Sequence, residues 1–104
     1  MSYIYDLADT WNAGGTTFTA VKMNVTDTAS AAGSLLMDLQ VGGASKANVS
    51  KAGNLTVAGY VSIADGVTAP SAATGEARIY VDSADGDLKV RFADGTIKTI
   101  VTDS

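Results

Sequence analysis

The chain has 104 residues, a formal net charge of −4, no Cys, no His and 17% charged residues, against about 25% in an average soluble domain. Thiolate nucleophiles, imidazole bases, disulfides and the usual zinc ligands are therefore all missing, and the seven Lys and Arg are scattered with no run to follow a phosphate backbone. We expect no enzyme, no cofactor, no metal site and no nucleic-acid partner.

Leu, Ile, Val and Phe together make up 23 of the 104 residues, close to the roughly 20% level below which highly charged chains tend to be disordered. A core built from so few large apolar residues is thin. Ordering the chain costs on the order of 100–200 kcal/mol of conformational entropy, so burial against further chains is expected to supply part of its stability. The first residues, Met1-Ser-Tyr-Ile-Tyr-Asp6, have neither the basic nor the apolar region of a signal peptide, and no stretch approaches the roughly 20 apolar residues of a membrane span. The expected course is synthesis in the cytoplasm with no membrane partner.

In chain order, residues 1–15 read as an arm. Tyr3, Ile4, Tyr5, Leu7 and Trp11 give it the densest aromatic and apolar cluster in the chain. Such side chains suit docking, since Tyr and Trp are favoured at buried interface anchors. They equally suit capping of the chain's own core. We assign these five residues to partner attachment.

Residues 16–66 read as a β subdomain. Over 16–26, Val21, Met23 and Val25 alternate with Lys22 and Asn24, the period of a half-buried strand. A small-residue loop follows, and then Leu35, Met37, Leu39 and Val41 alternate with Leu36, Asp38 and Gln40 to make a second strand. Gly42-Gly43 is the signal for a tight two-residue hairpin, because both central positions of a type I′ turn need positive φ. The return strand covers 44–49. After the turn Lys51-Ala-Gly-Asn54, Leu55, Val57, Val61 and Ile63 supply short strands.

Residues 67–76, with the single proline Pro70, read as a linker. Residues 77–104 then read as an antiparallel meander of strands at 78–82, 88–92 and 96–101, separated by Asp85-Gly86 and Asp94-Gly95. Leu88, Val90 and Phe92 are expected on one face together with Ile79, Val81, Ile97 and Val101, leaving Lys89 and Arg91 on the other. No segment keeps apolar residues at i, i+3, i+4, i+7 long enough for a helix. The fold class expected is all-β, short antiparallel strands and hairpins, in an intertwined homotrimer.

Three stretches taken together, Asp9-Thr-Trp-Asn12, Thr16-Thr-Phe-Thr-Ala-Val-Lys-Met-Asn-Val-Thr-Asp-Thr-Ala-Ser30 and Gly33-Ser-Leu-Leu-Met-Asp-Leu-Gln-Val-Gly-Gly43, followed by the Lys51-Ala-Gly-Asn54 turn, resemble a segment of fibre and appendage proteins of tailed bacteriophages. The stretch Gly75-Glu-Ala-Arg-Ile-Tyr-Val-Asp-Ser-Ala-Asp-Gly-Asp-Leu-Lys-Val-Arg-Phe-Ala-Asp-Gly-Thr96 is similar to hairpin modules near the ends of phage fibres. The resemblance implies a homotrimeric structural protein of the virion, bound to a capsid or tail protein. It does not separate head from tail. With no shaft and no separate tip, the chain looks more like a capsid decoration or short head-fibre protein than a tail fibre or adaptor.

Three other constellations compete with this reading. Asp82, Asp85 and Asp87 around Gly86 offer oxygen ligands of the kind calcium takes, but the spacing matches neither the EF-hand loop nor an RTX-type repeat and suits a solvated hairpin turn better. Ser45-Lys46 and Ser50-Lys51 hold the residue types of Ser/Lys hydrolases, yet neighbours in a strand point to opposite faces. Finally, Tyr60 and Tyr80, expected to be exposed, suit stacking on sugars, which makes a carbohydrate- or receptor-binding module the alternative from another functional class.

Overall fold

The structure is a computed structural model and describes residues 2–103. Those residues hold six strands and no helix. β1 (Leu35–Val41), β2 (Ala44–Ser50) and β3 (Leu55–Val57) form one sheet, and β4 (Arg78–Val81), β5 (Leu88–Arg91) and β6 (Ile97–Val101) form a second. Both sheets are antiparallel, ordered as in the chain.

The turns account for this order. Gly42 and Gly43 take φ of 58° and 85°, so the chain reverses in two residues between β1 and β2, a conformation nearly closed to side chains with a Cβ. At the β5–β6 turn, Phe92 and Thr96 are joined by the Phe92 amide donating to the Thr96 carbonyl at 2.8 Å. The Asp94 carboxylate accepts from the Thr96 amide at 2.9 Å. That bond, with one from the Thr96 hydroxyl, holds the Asp94 carboxyl below its ordinary range.

Register decides what each face carries. In the first sheet Leu35 lies opposite Ser50 and Met37 opposite Val49, which leaves Leu36 as an extra residue in β1. This bulge breaks the simple alternation expected for β1, because an extra residue shifts the facing parity. In the second sheet Leu88 lies opposite Val101 but Lys89 opposite Thr99, so Ile100 is the extra residue. The expected apolar face is corrected accordingly. Ile97 lies opposite Arg91, on the side of Tyr80 and Lys89, which are themselves paired.

Two expected strands are absent among the described residues. Residues 16–26 form no ladder, and Val61 and Ile63 lie outside strands. A period-2 pattern records which side chains want burial; it forms a strand only when an edge is within reach to complete the hydrogen bonds. Val67, the first residue of the 67–76 stretch, is bonded to β4 of the second sheet and to Ser83 just beyond it. The Val67 amide donates to the Val81 carbonyl and the Ser83 amide to the Val67 carbonyl, both at 2.8 Å.

Burial is scarce. Among the described residues only Tyr80, 3% exposed, is a buried apolar side chain. The accessible surface is 8589 Å², whereas a compact monomer of 10.5 kDa is expected to show roughly 5,400 Å². The Cα radius of gyration, 18.3 Å, compares with about 13 Å for a compact domain of this length. No strand of one sheet packs on a strand of the other.

Candidate functional site

The arm divides into two parts. Trp11 stacks on Phe18 with ring centroids 5.1 Å apart and planes 13° from parallel, an arrangement worth about 0.5–1.5 kcal/mol beyond the area it covers. Around that stack runs an open groove lined by Leu7, Asp9, Trp11, Phe18, Ala20 and Val21. The structure thus brings together two of the five assigned attachment residues, Leu7 and Trp11, and adds Phe18, which is not among them. Tyr3, Ile4 and Tyr5 lie outside the groove and project into solvent, Ile4 completely. None of the five is buried by the chain's own sheets.

A second apolar groove runs between Val21, Met23 and Val25 on one side and Leu36, Met37 and Val49 on the other. The bulge explains why adjacent Leu36 and Met37 both line it. All of the large apolar residues of 16–26 are exposed. The two grooves share Val21, so exposed apolar side chains run from the arm to the first sheet.

The acidic turn is organised around a lysine. Lys89 Nζ lies 2.8 Å from Asp82 Oδ2 and 2.7 Å from Asp85 Oδ2. The remaining oxygens are also engaged, with Asp82 Oδ1 accepting from the Ala84 amide and Asp85 Oδ1 from the Asp87 amide, each at 3.1 Å. Asp87 turns away to accept from the Asp103 amide at 3.1 Å. The Lys89 hydrogen bonds, followed by those from the two amides, hold both carboxyls below their ordinary range, and the carboxylates push Lys89 up in return. The cation these carboxylates hold is the chain's own ammonium, and no group of three acidic residues among the described ones is arranged to take a metal.

The serine–lysine pairs behave similarly. Ser45 Oγ accepts from Asn48 Nδ2 and Ser50 Oγ from the Asn54 amide, each at 3.1 Å. Lys51 does meet a serine, but a different one: its Nζ donates to Ser30 Oγ at 2.7 Å while Ser30 Oγ donates to Asp27 Oδ2 at 2.9 Å. The hydroxyl proton points to the carboxylate and not to the lysine, which is the reverse of what a lysine base needs. This is a loop clamp. The expectation that Tyr80 is exposed is also corrected. Alternation along β4 turns it to the face shared with Lys89 and Arg91, where it is buried, so of this pair Tyr60 alone, 90% exposed, keeps an open ring.

Comparison with protein-family models, with curated proteins and with solved structures gives no match to this chain.

Proposed function

We propose that this chain is a structural protein of a tailed-bacteriophage virion, working as a homotrimer and attached through its N-terminal arm, as a capsid decoration or short head fibre. One observation carries the reading. The chain folds its backbone into two hairpin-built sheets yet buries a single large apolar side chain among those described. The surface left over, roughly 3,000 Å² beyond that of a compact monomer, is of the size that obligate assemblies cover. Absence of charge runs and of Cys and His, together with the sequence resemblance, favours an assembling structural part over an enzyme.

The homotrimer is tested by sedimentation at micromolar concentration, where three chains are expected and a stable folded monomer sinks the reading. The virion assignment is tested separately by protein content of purified particles. A decoration protein is present at capsid-like copy number. A receptor-binding module is scarce, and its removal abolishes adsorption to the host.

A further inference from the structure

We propose that residues 17–25 form a strand in trans, adding to the free edge of β1 in a second copy of this chain. The inference rests on the homo-oligomeric reading above and adds which surfaces meet. Among the described residues no backbone N–H or C=O of 17–25 makes a hydrogen bond, although the segment carries the β-branched, alternating pattern of a strand. A strand sequence with an entirely unpaired backbone and exposed apolar side chains lacks only an edge.

β1 offers that edge. It is the outermost strand of its sheet and at seven residues is far longer than β3, the other edge, with three. Its sequence, Leu-Leu-Met-Asp-Leu-Gln-Val, contains none of the Lys or Pro by which natural edges repel a further strand. The patterns also agree. Lys22 and Asn24 alternate with Val21, Met23 and Val25, as Asp38 and Gln40 alternate with Met37, Leu39 and Val41, so pairing sets apolar beside apolar and Lys22 on the side of Asp38.

The chain's own segment does not serve its own edge. Val21, Met23 and Val25 border a groove with Leu36, Met37 and Val49, and Val49 belongs to the central strand β2. The segment therefore runs beside the face of its own sheet while the β1 edge stays open. Donating a segment to a neighbour and receiving one from another is a head-to-tail contact, which closes into a ring when the rotation permits, as the homotrimer proposed above requires.

The chain has no Cys, so single-cysteine variants report pairing without background. Lys22→Cys or Asn24→Cys is mixed and refolded with Asp38→Cys or Gln40→Cys under mild oxidation, alongside hydrogen exchange on the wild-type chain. The four mixtures cover neighbouring registers on the polar face. We expect a disulfide-linked dimer of the two different variants in at least one mixture, and at least tenfold slower amide exchange in 17–25 in the oligomer than after dilution to monomer. Met23→Pro, which removes a ladder donor, is expected to abolish the oligomer. An oligomer in which 17–25 exchanges at the unprotected rate overturns the trans strand and leaves the oligomeric reading standing. Protection that persists in a monomer places the pairing in cis and overturns it. Protection in the oligomer with no cross-link in any mixture overturns the choice of β1. A chain that sediments as a monomer at every concentration overturns the oligomeric reading itself.

Discussion

Lys51 Nζ sits 2.7 Å from Ser30 Oγ, 3.2 Å from the Ser30 carbonyl and 3.3 Å from Asp27 Oδ2. One ammonium thus ties the turn after β2 to the loop before β1. The backbone reinforces it, since the Lys51 amide donates to the Ser34 carbonyl at 3.1 Å. These contacts hold the loop that joins residues 17–25 to β1. Both partners are partly exposed, and exposed pairs contribute about 0–1 kcal/mol each. Lys51→Ala is expected to lower stability by about 1 kcal/mol and to speed amide exchange at Lys51 and Ser34, leaving exchange in β4 to β6 unchanged.

Gly43→Val tests the hairpin. A β-branched residue at φ near 85° carries at least roughly 1–2 kcal/mol of left-handed strain, and nothing crowds the position otherwise. The expected result is a lower melting temperature from backbone strain alone. Melting at the wild-type temperature would count against the turn geometry.

Tyr80 gives opposite outcomes for two substitutions. Its hydroxyl is buried without a hydrogen-bond partner among the described residues, and a buried unpaired polar group costs about 1–3 kcal/mol. Tyr80→Phe is expected to hold or raise stability. Tyr80→Ala removes the one buried ring and is expected to cost about 3–5 kcal/mol, unfolding the second sheet. Denaturant melts read by far-UV circular dichroism distinguish them.

Acid acts on the Lys89 cluster with a definite sign. Asp82 and Asp85 are held below their ordinary value of 3.8 by the Lys89 hydrogen bonds, so their contribution is present above that pH and is lost as pH falls through the lowered folded values. Lys89 is pushed above its ordinary 10.5, so its contribution is complete below that pH and is lost only as pH rises through the raised value. Stability of the second sheet is therefore expected to be flat through neutrality and to fall below pH 3.8. Lys89→Met should shrink the acid-side fall, measured by thermal melts across pH.

The arm is tested by removing residues 2–9. Deletion is expected to leave an oligomer with unchanged β signal but to abolish binding to particles that lack the protein. Interface Tyr and Trp anchors typically cost 2 kcal/mol or more each on truncation, roughly a 30-fold change in affinity, and three arms multiply the loss. Normal particle binding by the truncated protein would move the attachment site elsewhere.

Strands and turns were legible in the sequence because both are local. Alternation at 35–41, glycine pairs at Gly42-Gly43, and Asp-Gly at 85–86 and 94–95 specify extended runs and reversals from the backbone preferences of a few residues, and the six strands lie where those patterns put them. The tertiary structure alone decided the facing of side chains and the fate of 16–26. An extra residue at Ile100 puts Ile97 and Val101 on opposite faces, and no local signal marks a bulge that exists only relative to a partner strand. Lys51 and Ser30 meet across 21 residues of chain, again beyond any local pattern. Residues 16–26 read as a strand because their side chains alternate, but a strand also needs an edge for its backbone, and whether the chain's own fold supplies one is settled only by where the edges lie in space.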